Sequence, residues 1–323
     1  MSSKTTNTDK RMTHMIPTIS AVDVMSDKPA RPPDFPASSN KQAKMFCPEP
    51  SARCRPSLWP DPPPHMGAFK LDIWLLDYRP LASTAWRQAL RELIDDEEAC
   101  QSERFHFADD RLRYLATRAL VRSTLSHYAP IAPADWHFTR NAHGRPVIAA
   151  HHDAASHLRF SVSHTRGLIA LAIGEHCELG VDAESLARPP HLDVAGRFFA
   201  HDEARALART PSARQAQRFY EYWTLKEAYV KAHGLGLSMP LDSFSFGDLE
   251  SAGLQLATSA PLDENSGNWR FWQWQAGAGH LLALCATGPG GADCRPRLYR
   301  LTPGGHALAM SLPLLRQSET PGD

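Results

Sequence analysis

The run from Trp223 to Leu237, Trp-Thr-Leu-Lys-Glu-Ala-Tyr-Val-Lys-Ala-His-Gly-Leu-Gly-Leu, reads as the last turns of an amphipathic helix closed by Gly234 just past its end. Positions four apart on a helix stack, so Lys226, Glu227 and Lys231 fall on nearly one face, with Phe219, Tyr222, Trp223 and Val230 as the core side. A single Glu227–Lys231 pair is ordinarily an exposed ion pair of little consequence. Upstream, however, lie Phe160-Ser-Val-Ser-His164 and Gly180-Val-Asp-Ala-Glu184. A polar dyad, a carboxylate pair and a charged helix end can together build one site.

With 323 residues, 42% of them hydrophobic, the chain has enough apolar material for one large or two medium domains. No apolar run is long enough to cross a bilayer, and the N-terminus lacks the apolar core of a secretory signal. A cytoplasmic protein with no membrane partner is expected. Six scattered cysteines without Cys-x-x-Cys spacing argue for reduced thiols rather than a zinc site or disulfide framework. Basic and acidic residues balance at 35 each, which argues against a general nucleic-acid binder. The sixteen histidines are dispersed and include no His-Glu-x-x-His helix, so a metalloprotease has no foothold.

Residues 1–65 are rich in Pro, Ser, Thr and Lys and show no periodicity, so they are expected to be a disordered extension. A chain starting at Met66 is expected to fold and work. Leu71 to Leu76 reads as a strand, and Ser83 as the N-cap of a helix over Trp86 to Ile94. A further helix from about Asp109 to His127 carries Leu112, Leu115, Ala116 and Ala119 on its apolar side. Arg111, Arg118 and Arg122 share another side; the simpler expectation for them is a solvated basic stripe. Arg104 and Arg113 stand outside that stripe, and arginine's planar fork suits phosphate. Two short strands, Trp136 to Thr139 and Pro146 to Ile148, are joined by a turn that displays Arg145 on a stiff loop.

Strands are then expected at Leu158 to Ser163, Leu168 to Ile173 and Leu179 to Asp182. Asp182 and Glu184 are two apart at a strand end, so both carboxylates point to one side. That pattern fits either a solvated turn or a cation site; few oxygen ligands suit Mg²⁺, which keeps waters and bridges phosphates. A helix near Asp193, a second at His201 with Glu203 as a structural residue, and the long helix from about Ala213 follow. A hairpin of Trp269 to Trp274 with Leu281 to Ala286 closes the pattern, so both halves are α+β. From Gly288 the composition is rich in Gly and Pro, and a loosely ordered tail over 288–323 is expected, apart from a possible strand at Arg297 to Leu301.

Arg104-Phe with Arg113, Gly144-Arg-Pro146, Phe160-Ser-Val-Ser-His164, Gly180-Val-Asp-Ala-Glu184, Phe198-Phe with Glu203, and Trp223-Thr-Leu-Lys-Glu-Ala-Tyr-Val-Lys231 occur in one order. In that order the chain resembles the 4′-phosphopantetheinyl transferases of the large, single-chain, surfactin-synthetase-activating type, over about Met66 to Ala286. The resemblance implies an α+β pseudo-dimer of two similar halves, 66–165 and 166–287, with the active site at their interface. It implies transfer of the phosphopantetheine arm of coenzyme A to a serine of an apo acyl- or peptidyl-carrier protein, with release of adenosine 3′,5′-bisphosphate. Asp182, Glu184 and Glu227 would hold Mg²⁺, and Arg104, Arg113, Arg145, Ser163, His164, Lys226 and Lys231 would contact coenzyme A. Glu227, Lys231 and His164 would be the catalytic residues. The segment Glu97 to Glu103 is acidic where relatives often carry basic residues near the 3′-phosphate, which shifts that contact toward Arg113 and Arg145.

The chemistry calls for these residue types. A negatively charged pyrophosphate repels a nucleophile until a metal and cations neutralise it, and the carrier serine needs a base, for which Glu227 is the candidate, directly or through a water. Phe198, Phe199 and the arginine stripe are candidates for the carrier surface, and a chain carrying both halves is expected to act as a monomer. Three other readings compete. Ser163 and His164, adjacent on a strand, point to opposite faces and make a poor hydrolase dyad. A silent module that binds coenzyme A or a carrier would not need all three carboxylates. A Mg²⁺-dependent phosphatase or nuclease would be expected to carry a second acid cluster.

Overall fold

The computed structural model describes residues 71–318, apart from 248, 251–252, 260–267, 289–294, 304 and the side chain of Leu237. The expectations for residues 1–65 lie outside the described residues. The first half runs β1 (Leu71–Leu76), α1 (Thr84–Arg91), α2 (Asp96–Ser102), α3 (Ala108–Leu125), the short pair β2 (Phe138–Arg140) and β3 (Pro146–Ile148), then β4 (Leu158–Thr165) and β5 (Leu168–Glu175). The second runs β6 (Glu178–Ser185), α4 (Leu192–Phe198), α5 (His201–Arg209), α6 (Ser212–His233), the two-residue strands β7 (Phe244–Ser245), β8 (Gly253–Leu254) and β9 (Ala257–Thr258), and the hairpin β10 (Trp269–Gln275) and β11 (His280–Thr287). Last come β12 (Arg297–Leu301), β13 (Ala307–Met310) and β14 (Leu314–Ser318). Ser83 caps α1 as expected, its Oγ accepting the Trp86 N–H. No described helix is long and apolar enough to cross a membrane, and Cys100, Cys177 and Cys285 are free thiols.

Two five-stranded sheets result, β13-β12-β1-β5-β4 and β6-β11-β10-β14-β8. Strand alternation explains how they stack. On β1, Trp74 and Leu76 enter a core shared with Leu115, Ala119 and Leu120 of α3, while Leu71, Ile73 and Leu75 enter a different core facing the second sheet. β11 does the same in reverse: Leu281, Ala283 and Cys285 meet α6, and Leu282, Leu284 and Ala286 face the first sheet. The layers are therefore helix, sheet, sheet, helix, and Ala170, Ala172 and Ala183 in the middle core allow the sheets to approach.

The edges β4 and β6 are joined by side chains. Ser161, Ser163 and Thr165, at alternate positions of β4, accept the backbone N–H groups of Val181, Ala183 and Ser185 at 3.1, 3.2 and 3.1 Å. Hydroxyls thus stand in for a ladder partner, since buried N–H groups left unpaired are costly.

Three expectations change. The hairpin of β4 and β5 belongs wholly to the first sheet, with β5 lying between β1 and β4. The halves therefore divide between β5 and β6, not at 165/166. The tail is not loose where it is described: β12 lies parallel to β1, and β14 antiparallel to β10, so it gives strands to both sheets. Arg297 secures it, its Nε 2.7 Å from the fully buried Asp72 carboxylate of β1, an acid that burial otherwise pushes up in pKa. Two of the three stripe arginines on α3, Arg118 and Arg122, are not solvated either, whereas Arg111 is half-buried. Arg118 and Arg122 are buried on Glu98 of α2, Arg122 also pairs with Asp95, and its Nη1 donates to the carbonyls of Pro133 and Trp136 at 2.9 Å each. The acidic stretch and the basic stripe neutralise each other.

Candidate active site

Helix α6 reaches β6 more closely than side chains would permit. A Cβ on Gly180 would lie 2.0 Å from the Ala228 carbonyl oxygen and 2.4 Å from the Ala232 nitrogen, so glycine is what admits the helix backbone there. Gly234 ends α6 in the left-handed region at φ 67°, as its position predicts. The close crossing brings the acids of both elements together.

Asp182 and Glu184 share one side of β6, and Glu227 faces them from α6. Asp182 is 1% exposed. Its Oδ1 accepts from Lys231 Nζ at 2.6 Å and from Ser163 Oγ at 2.9 Å, while Oδ2 is buried with no hydrogen-bond partner among the described residues. Thr165 Oγ1 donates to Glu184 at 3.4 Å. Burial, then the charge of Asp182, push the Glu184 carboxyl up to about 8; the same causes push Glu227 up to about 7, and Lys231 offsets part of both shifts. Ionising all three carboxyls beside one ammonium would leave net negative charge in a buried place. An orphaned carboxylate oxygen beside two acids that resist ionising suits a hard divalent cation with oxygen ligands.

Lys226 does not join this cluster. One residue along the helix turns its side chain by about 100°, and its ammonium lies 2.7 Å from Glu203 of α5, with both side chains fully buried. It also donates to the carbonyls of Leu241 and Phe244 at 2.7 Å each and sits 4.3 Å from the Phe244 ring centroid. Glu203 in turn accepts the N–H groups of Ala200 and Phe246 at 3.1 and 3.0 Å. The pair fastens α5 to α6, so Lys226 is not available to coenzyme A.

His164 is buried beside the acids. Burial, then Arg113 and Lys231, lower its pKa to about 3, so it is a neutral imidazole, and its Nε2 has no partner among the described residues. It can offer a phosphate one hydrogen bond but no resident charge. Arg113, paired with Asp110 at 2.6 Å, reaches the same place. The Ser163 hydroxyl is engaged by Asp182 and the Ala183 amide, so it orients the acid rather than being displayed to a ligand. Arg145 is also turned inward: it donates to the carbonyls of Ala232 at 2.8 Å and Leu179 at 3.1 Å, bracing the β2–β3 turn against α6 and β6. Asn141 Nδ2 adds a 2.8 Å bond to the Gly234 carbonyl. Arg104 is exposed after α2, held to Gln101, and lines neither cavity beside the acids. Phe199 is core, stacked near Phe219 and Trp223, whereas Phe198 is exposed.

Two cavities flank the acids. One of 460 Å³ is bordered by Glu227 and Lys231 and by an apolar wall of Phe160, Val162, Phe198, Val230 and Met239. The other, of 420 Å³, is bordered by Glu184, His164, Thr165, Arg113, Arg166, Arg188 and Tyr220. Thr165, Arg166 and Arg188 escaped the sequence reading. Thr165 had a signal, continuing the alternation of Ser161 and Ser163; the two arginines sit in connections without periodicity and had none.

Residues 178–285 match the family model of the 4′-phosphopantetheinyl transferase superfamily, and residues 77–176 match that of the 4′-phosphopantetheinyl transferase N-terminal region. The two abut where the sheets divide. The chain is 30% identical to the 4′-phosphopantetheinyl transferase Sfp of Bacillus subtilis over 211 residues, covering 65% of this chain and 89% of that protein. It is 30% identical to the 4′-phosphopantetheinyl transferase ffp of Bacillus subtilis over 200 residues, covering 62% and 85%. It is 33% identical to the 4′-phosphopantetheinyl transferase HetI of a Nostoc species over 152 residues, covering 47% of this chain and 64% of HetI.

Proposed function

The chain belongs to the 4′-phosphopantetheinyl transferase superfamily and transfers phosphopantetheine from coenzyme A to a carrier protein, and we propose that its acid cluster is where the transfer occurs. The observation that carries this reading is the convergence of Asp182, Glu184 and Glu227 from two elements, with Asp182 Oδ2 unpartnered among the described residues, Glu227 bordering one cavity and Glu184 the other. Those three carboxylates would hold Mg²⁺, which supplies neutralisation of the pyrophosphate charge when bound.

The protein's own residues do the rest. The carrier serine Oγ forms a bond to the phosphorus of the phosphopantetheine phosphate, the bond from that phosphorus to the bridging oxygen breaks, and adenosine 3′,5′-bisphosphate departs with that oxygen. The serine proton passes to Glu227, directly or through a water, the carboxylate lying beside the site where the phosphates are neutralised. Lys231 and Arg113 offer positive charge to the phosphates, and neutral His164 a directed hydrogen bond. Arg145 and Ser163 act at one remove, holding the turn and Asp182 in place. We read the enzyme as a cytoplasmic monomer with coenzyme A and a carrier as partners.

The test is the intact mass of an apo carrier protein incubated with this protein, coenzyme A and Mg²⁺. A gain of one phosphopantetheine is expected, absent with chelator and nearly absent with Glu227→Gln, because positioned acid–base catalysis contributes about a hundredfold to ten-thousandfold. Near-normal turnover by Glu227→Gln at saturating Mg²⁺ would remove Glu227 from both roles. Coenzyme A binding without any mass gain would favour the silent binding module.

A further inference from the structure

Histidines that are scattered in sequence converge at one place outside the active site, the open end of the β2–β3 hairpin. The backbone explains how. The Ala149 N–H donates to the His137 carbonyl at 3.0 Å, extending the hairpin by a rung, and the His152 N–H turns back onto the Ala149 carbonyl at 3.0 Å. His137 on one side thereby faces His151 and His152 on the other. A ring nitrogen from each lies within 4.8 Å of the other two. The ring centroids are 4.3 Å apart for His151 and His152, and 5.1 and 5.7 Å from His137 to each.

Two hydrogen bonds set which nitrogens carry lone pairs. His137 Nδ1 lies 2.9 Å from the Asp135 carbonyl, which can only accept, so the proton is on Nδ1 and Nε2 is free to ligate. An imidazole oriented by donating its other N–H to a carbonyl is the usual support of a metal-bound histidine. His152 Nε2 accepts the His137 N–H at 2.9 Å, so it too carries a lone pair. His137 and His151 are exposed and can rotate.

We propose that His137, His151 and His152 form a metal site for a borderline transition ion of the Zn²⁺ class, separate from the acid cluster. Imidazole suits Zn²⁺, Ni²⁺ and Cu²⁺, whereas Mg²⁺ takes oxygen ligands, so the two sites sort by chemistry. Zinc–nitrogen bonds are about 2.0–2.1 Å, so the rings close in by roughly 1 Å, and a water fills the fourth position. His152 exchanges its amide hydrogen bond for the ion. At a rise of about 3.3 Å per residue, the site lies on the order of 13 Å from the turn that carries Arg145. The ion thus clamps the far end of the hairpin that braces the active site and touches no substrate.

The test uses the full chain, stripped of metal and returned to excess Mg²⁺, with Zn²⁺ added in equilibrium dialysis. The wild type is expected to hold about one zinc more than His137→Ala/His151→Ala, and His151→Ala alone to weaken that site by at least about tenfold. His151 is exposed and packs on the other two rings, so its loss leaves the fold intact. Equal zinc stoichiometry and affinity in the wild type and both variants overturns the proposal, whatever cysteines or the acid cluster also bind.

Discussion

Gly180→Ala tests the account of the active site at its narrowest point. The added Cβ would lie 2.0 Å from the Ala228 carbonyl oxygen, 2.4 Å from the Ala232 nitrogen and 3.0 Å from the Lys231 carbonyl carbon. These are backbone atoms of α6, so no side-chain rotation relieves the contact. Comfortable non-bonded separations are about 3.5 Å, so α6 and β6 must part by more than about 1 Å. Overpacking of this kind costs about 1–3 kcal/mol, and rigid partners place it at the upper end. For a domain of this size each 1 kcal/mol moves the thermal midpoint by about 2–4 °C, so a fall of about 6–12 °C is expected. The kinetic effect is larger. β6 carries Asp182 and Glu184, α6 carries Glu227 and Lys231, and a misplacement of about 1 Å costs on the order of a hundredfold in rate. Calorimetry and carrier-loading kinetics measure the two effects. The control is Gly196→Ala on α4, where a Cβ would meet nothing within 4 Å, so stability should hold or rise and activity should not change. If Gly180→Ala matched that control in both assays, the close helix–strand crossing would not be what assembles the acids.

Lys226→Met should lower stability by about 3–5 kcal/mol, because it leaves Glu203 buried and unpaired; a tenfold rise in KM for coenzyme A at unchanged stability would instead make Lys226 a substrate contact. For pH, the metal-free folded protein keeps protons on Glu184 up to about 8 and on Glu227 up to about 7, whereas the unfolded chain releases them near the ordinary glutamate value of 4.5. Between those limits the folded state binds more protons, so this stabilisation is present at low pH and is lost as pH rises through 7 and 8. In chelator, the wild type should therefore lose thermal stability relative to Glu184→Gln across that window, and a pH-independent difference would refute the shift. Mg²⁺ must displace the same protons, so its affinity, followed by calorimetric titration, should climb over the same range.

Much of the frame was legible in the chain. The helix ending at Gly234, the strand at Leu71–Leu76, the alternation that places Asp182 and Glu184 on one side, and the order of motifs that marks the family all rest on local periods and turn chemistry, which neighbouring residues express without distant help. Tertiary structure decided what each face meets. It sent Lys226 to Glu203 and Glu227 to the acids, though both sit on one short run of helix, because α5 delivers a carboxylate to one side and β6 to the other. It buried Arg118 and Arg122 on Glu98, turned Arg145 onto backbone carbonyls, and threaded β12 and β14 into separate sheets despite a Gly- and Pro-rich approach. It also gathered three histidines at the end of a hairpin. A period in sequence names a face; only long-range packing supplies the opposite charge, the unpaired carbonyl or the open strand edge that gives that face its role.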